Sequence, residues 1–161
     1  NCAACSQGTM NNITFGNNSY SHYETIGGGS GATIDHHGTS AVQVHMTNTA
    51  ITDPEVLESR FPVRLIGFKI RRDSGGKGIF KGGDGIEREY IFEEKSTLNL
   101  LNQNRKKGAS GLNGGEHGKP GEEFIIRKNG RHEQAHSGHS LNMLPGDRLL
   151  IRTPGGGGAG Q

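Results

Sequence analysis

Residues 61–72, FPVRLIGFKIRR, decide the fold class. Val63 and Leu65 alternate with polar or smaller neighbours, and Phe68 and Ile70 resume the alternation across Gly67. A period of two with one interposed glycine reads as a β-strand carrying a bulge. Working outward, DPEVLESR (53–60) is a helix of one or two turns: Asp53 is its N-cap, Pro54 occupies the first helical position and Glu55 lies in the first turn. Downstream, GIEREYIFEE (85–94), STLNLLNQN (96–104) and GDRLLIRT (146–153) read as strands, and GEEFIIRKNGRHEQ (121–134) as a hairpin with a type I′ turn at Asn129-Gly130. Upstream, SYSHYETIGGGSGA (19–32) is a short strand ending in a glycine loop, and TSAVQVHMTNTA (39–50) alternates around Val42 and Val44. Turn signals recur at short intervals and helical pattern is scarce. The fold class is mainly β, a sandwich or distorted barrel with Gly-rich loops and at most one or two short helices. One domain over residues 1–161 suits the length.

Glycine stands out, at 28 of 161 residues, against about 7% in average usage. The glycines gather at 27–29, 75–76, 82–83, 114–115 and 155–158 and are not periodic, which excludes collagen. Clusters between patterned segments point to tight turns and close backbone approaches rather than disorder. The apolar share is 30% with no tryptophan, so the core is thin and a partner surface is expected to cover part of it.

Charge is balanced, with 18 basic and 16 acidic residues, which gives no nucleic-acid footprint. Arg105-Lys106-Lys107 reads as a solvated loop. No stretch has the length and apolarity of a membrane-spanning helix, and no secretion signal is visible. Cys2 and Cys5 form a lone C-x-x-C, without the second pair a zinc ribbon needs. They read as incidental thiols in a reducing, cytoplasmic setting.

Gly27, Gly29 and Ala32 satisfy G-x-G-x-x-A, but no helix pattern follows, so a dinucleotide site is disfavoured. SGGKG (74–78) lacks the spacing and hydroxyl of a Walker loop. Consecutive amides at Gly27–Gly31 suit an oxyanion or phosphate; a tight connection needing positive φ explains the same glycines. His36, His37 and His45, with Glu24 and Asp35, could hold a metal or move protons, though their spacing matches no known metal motif. His132, His136 and His139 read as exposed loop histidines.

GTMNNITFG (8–16), YETIGGGSGA (23–32), VHMTNTAITDPEVLESRFPV (44–63), SGGKGIFKGGDGIEREYIF (74–92), GLNGGEHGKPGE (111–122) and RTPGGGGAG (152–160) occur in order. Together they resemble the C-terminal portion of the hydantoinase B/oxoprolinase family, most closely its 5-oxoprolinase branch. The resemblance runs over nearly the whole chain and implies a segment of a longer protein. It also makes the closing TPGGGG a native segment rather than a linker.

The resemblance implies an ATP-dependent cyclic-amide hydrolase of 5-oxoprolinase or N-methylhydantoinase type. In such enzymes a hydantoinase A-like half or subunit phosphorylates the lactam oxygen, and the B half completes hydrolysis. It further implies that ATP and a divalent metal are handled elsewhere, with no cofactor or metal ligand in this segment. The partners implied are the A-like half, the upstream part of the B half and a small cyclic amide, not nucleic acid or membrane. Within the matching motifs, His45 and Glu24 are the candidate catalytic residues. Gly27, Gly28, Gly29, Asn48 and Arg60 are the candidate substrate-binding residues. Departures from the family pattern are Gln43 in place of one of two histidines, His22 in place of a tyrosine, and Ala109-Ser110-Gly111 in place of a Pro-aromatic-Gly run. The alternatives are a B-type subunit of a related ATP-dependent ketone carboxylase and a non-catalytic β-module that docks the two halves.

Overall fold

The computed structural model describes residues 2–45, 47 and 49–161. Among the described residues, nine strands and one helix follow in the order β1 (Asn11–Gly16), β2 (Ser21–Thr25), α1 (Pro54–Arg60), β3 (Val63–Arg71), β4 (Gly85–Phe92), β5 (Ser96–Asn102), β6 (Glu122–Ile126), β7 (His132–Gln134), β8 (Ser140–Met143) and β9 (Arg148–Arg152). They form two antiparallel sheets, β2-β1-β5-β8 and β3-β4-β9-β6-β7. The fold is a sandwich and not a closed barrel.

Alternation places the core. Ile13, Phe15, Leu98, Leu100 and Met143 from one sheet share a single apolar cluster with Ile86, Tyr90, Phe92, Ile125, Leu149 and Ile151 from the other. Phe15 lies edge-on to Tyr90 and Phe92, with centroids 6.0 and 5.4 Å apart. Each such side chain removed from water contributes roughly 1.5–3 kcal/mol. At α1, Asp53 Oδ1 accepts the Glu55 and Val56 N–H groups, and Leu57 is buried. The β3–β4 register shifts between Leu65 and Gly67, which is the bulge.

Several expectations are corrected. The described residues of 39–50 form no strand, and Val42 makes an isolated bridge with Gly28. The β6–β7 turn is not type I′, because Gly130 has φ +86° and Asn129 does not share a positive φ. The Gly130 N–H donates to the Arg127 carbonyl, the pattern of a type I turn followed by a left-handed glycine. None of Gly27–Gly31 has positive φ, so that run is glycine for want of space.

The space is taken by a second architectural unit. Residues Thr153–Ala159 are all buried, and successive N–H groups from Gly155 to Gly160 donate to the carbonyls of Lys119, Gly83, Cys5, Glu116, Phe80 and Leu112. Two of the three pairs of residues three apart return to the same neighbouring segment, 155 and 158 to 116–119 and 156 and 159 to 80–83, while Gly157 and Gly160 go to Cys5 and Leu112. The carbonyls of Pro154 and Gly157 likewise accept from Gly29 and Ala32, again three apart. A repeat of three is that of an extended polyproline II helix, which has no internal hydrogen bonds and leaves its amides to bond to neighbouring segments. Segments 3–7, 28–32, 74–77, 80–83, 109–112 and 116–119 thus surround the closing TPGGGG, with glycine at many of the close backbone approaches. Thr153 joins this bundle to the sandwich: its hydroxyl donates to the Gly27 carbonyl at 2.8 Å and accepts the Ile86 N–H at 2.7 Å.

Candidate functional site

Two places in the fold hold the chemistry-bearing residues. The first is buried. Glu24 on β2 and Arg88 and Tyr90 on β4 point into the sandwich, with Arg88 and Tyr90 at 0% exposure and Glu24 at 3%. Arg88 Nη2 lies 3.2 Å from Glu24 Oε1, Arg88 Nε donates to Tyr90 Oη at 2.6 Å, and Tyr90 Oη donates to Glu24 Oε2 at 2.5 Å. The Thr52 N–H donates to Glu24 Oε1 at 2.8 Å, while the Thr52 carbonyl accepts from Arg88 at 3.1 Å. The guanidinium carbon sits 4.9 Å from the Phe68 ring centre and 5.2 Å from that of Tyr90. Burial, reinforced by the adjacent Glu24 charge, pushes the Tyr90 hydroxyl well above the ordinary tyrosine range. Both Glu24 oxygens are engaged and screened from water, so this carboxylate holds Arg88 and the 52 loop in place. His22, its neighbour but one, packs against Phe15 and Phe61 at 5.0 and 4.8 Å. Burial lowers its pKa; the Glu24 charge opposes this and the Arg88 charge adds to it.

The second place is open. His45 is exposed and lines a cleft of about 380 Å³ together with Cys5, Ser6, Asn104, Lys107 and Ser110. It occupies the left-handed region at φ +57°. The turn is closed by Thr47, whose N–H and hydroxyl donate to the Val44 carbonyl at 3.3 and 2.7 Å. The cleft sits on the glycine bundle, where the Cys5 N–H meets the Ser110 carbonyl at 2.9 Å. An exposed imidazole beside an ammonium and two hydroxyl-bearing residues can take a proton from water and face a developing oxyanion.

The remaining candidates are dispersed. Gly27, Gly28 and Gly29 are buried, and the Gly28 and Gly29 N–H groups donate to Val42 and Pro154 carbonyls. Those two amides bond within the fold, which gives them a structural task. The Gly28–Val42 bridge does bring the 42–45 segment beside this run. Arg60 is exposed in the last turn of α1. Neither it, Glu24 nor Gly27–Gly29 lines the His45 cleft, and Asn48 lies outside the described residues. Among the described residues, no group of three or more His, Cys, Asp or Glu side chains comes together as metal ligands.

Reading the sequence missed Arg88 and Tyr90. The signal was present in IEREYIF (86–92), where alternation puts Arg88 and Tyr90 on the face of Ile86 and Phe92. It also missed Ser6, Asn104, Lys107 and Ser110, which line the cleft with His45 although they are distant from it in sequence.

Comparison with known proteins supplies the family. The chain is 48% identical over 158 residues to 5-oxoprolinase 1 of Arabidopsis thaliana, a match covering 98% of this chain and 12% of that protein. It is thus similar to a small part of a much longer protein. The fold matches that of an ATP-dependent caprolactamase from Pseudomonas jessenii with TM-score 0.80 at 24% identity, over 98% of this chain and 30% of that one. It matches an acetone carboxylase with TM-score 0.73 at 18% identity, over 96% of this chain and 26% of that one. No helix among the described residues is long and apolar enough to cross a membrane. With the family model described as Hydantoinase B/oxoprolinase matching residues 1–161 end to end, the chain belongs to the hydantoinase B/oxoprolinase family.

Proposed function

We propose that this chain is a module of an ATP-dependent cyclic-amide hydrolase of the 5-oxoprolinase type. It works on a lactam already activated by phosphorylation on a hydantoinase A-like half. The observation that carries this reading is the 48% identity to a 5-oxoprolinase across 98% of the chain, against 18% to the acetone carboxylase. A ring amide is a poor electrophile because nitrogen donates into the carbonyl. O-phosphorylation ties up the oxygen as a phosphate ester and leaves an imidate-type C=N carbon, an electrophile to which water can add. The ring C–N bond then breaks as the nitrogen gains a proton, and the resulting acyl phosphate loses phosphate to a second water. The steps after activation need a proton acceptor for water and a donor for nitrogen, which one exposed histidine can be in turn. His45 is assigned that role, with Lys107 facing the oxyanion. Glu24 and Arg88 form the buried support on which the 52 loop rests.

The test is the full-length reading frame, purified with its A-like half and supplied with Mg-ATP. ATP consumption that depends on a lactam and releases the ring-opened amino acid in step is the expected result. Consumption that requires a ketone and bicarbonate, with none on lactam, would assign the module to a carboxylase instead.

A further inference from the structure

Strand β3 is an edge strand of the five-stranded sheet, and its second half is apolar on the wrong side for a finished protein. Phe68 pairs with Arg88 and Ile70 with Ile86. Directly paired residues share a face, and Arg88 and Ile86 are buried at 0% and 4%. Phe68 and Ile70 therefore continue the core-side face of the sheet past the point where the four-stranded sheet stops covering it. They stay 48% exposed each, and Ile66 in the bulge is 47% exposed. The Phe68 ring also shields the buried Arg88 guanidinium, 4.9 Å away. The basic residues of the strand are already matched within the chain: Arg64 pairs with Glu93, Lys69 with Glu87 and Arg71 with Glu122, so the open part of this face is apolar.

We infer that Ile66, Phe68 and Ile70 form an apolar interface seated against the remainder of the same hydantoinase B-type polypeptide. This rests on the functional reading above. The occupant follows from two observations. The face is continuous with the core, so whatever covers it completes a domain rather than a transient contact. The relatives place this module in far longer chains, 12% of one and 30% of another.

Hydroxyl-radical footprinting of the full-length protein reads Phe68 without any substitution. If the face is covered, oxidation of Phe68 in the folded protein falls at least tenfold below that in urea. Rates within about threefold of each other would overturn the interface. A second arm identifies the occupant: Ile70→p-benzoylphenylalanine is irradiated, and the linked peptides are sequenced in mixed light and heavy isotope copies. Links to the same polypeptide outside the 161 residues support the inference. Links to another copy, to the A-like half, or to nothing refute it. Lactam turnover is measured on the same preparation. A covered Phe68 with no lactam turnover would leave the interface standing and sink the functional reading; an exposed Phe68 in an active lactamase would do the reverse.

Discussion

Adding one methyl group at Gly156 tests the glycine bundle directly. Gly156 has no positive φ, so alanine there meets no conformational objection; the objection is steric. A Cβ built at Gly156 would sit 1.9 Å from the Ser30 carbonyl oxygen and 2.8 Å from the Gly31 nitrogen. An ordinary contact needs about 3.5 Å, so segment 28–32 would have to move outward by roughly 1.5 Å. That segment is held by hydrogen bonds from Gly29 to Pro154 at 3.1 Å, Ala32 to Gly157 at 2.9 Å and Gly83 to Ser30 at 2.9 Å. A shift of this size takes all three beyond hydrogen-bonding range. Each buried polar group left unpaired costs about 1–3 kcal/mol, so the loss is on the order of 3–9 kcal/mol. A domain holds only about 5–15 kcal/mol of stability. Gly156→Ala should therefore unfold the chain or leave it marginal, and Gly156→Val should abolish soluble yield.

The control is Gly130→Ala. Gly130 has nothing within 4 Å of a built Cβ but sits at φ +86°, so it pays only the left-handed penalty of about 1–2 kcal/mol. Urea unfolding followed by far-UV circular dichroism separates the two variants. A Gly156→Ala midpoint equal to wild type, or no lower than that of Gly130→Ala, would show that the closing segment is not packed in a bundle.

Three further outcomes are expected. Glu24→Gln strands the Arg88 charge at 0% exposure and should lower unfolding stability by about 3–5 kcal/mol, with Glu24→Gln/Arg88→Met recovering part of it; a double variant as unstable as the sum of both singles would count against the pair. His22 stays neutral in the fold because burial lowers its pKa, whereas the unfolded chain takes up a proton near about pH 6.5. Stability should therefore be full above that pH and fall as pH drops from the unfolded value toward the folded one, and His22→Phe should flatten the curve between about pH 7 and 5; an unchanged slope would remove His22 as the cause. His45→Asn keeps a residue that tolerates the left-handed region, so thermal stability should hold while lactam turnover in the full-length enzyme drops about 100-fold or more; normal turnover would end the proton-transfer role.

Two kinds of regularity shape this chain, and they leave different traces in the sequence. The sandwich writes itself in side chains. Burying one face of a strand demands apolar residues at a spacing of two, so β3, β4, β5, β6 and β9 are visible in 61–72, 85–94, 96–104, 121–134 and 146–153. The same spacing exposed the bulge at Gly67, and Asp53-Pro54 marked α1 by its capping chemistry. Strand β1 escaped notice because NNITFG (11–16) shows only Ile13 and Phe15 among polar residues, although both are central to the core. The bundle writes itself in the absence of side chains. Its segments pair chiefly through backbone groups, so little in a neighbour's side chains names its partner. What survives is a local spacing of three, at Gly108, Gly111 and Gly114 and again at Gly115, Gly118 and Gly121. Four of these, Gly108, Gly111, Gly115 and Gly118, meet another segment's carbonyl where a Cβ would stand. The glycines are thus periodic after all, over short runs rather than along the chain. The same logic explains why the His45 cleft was invisible: Cys5, His45 and Ser110 share no motif, and Cys5 meets Ser110 through a backbone hydrogen bond that no side-chain pattern announces.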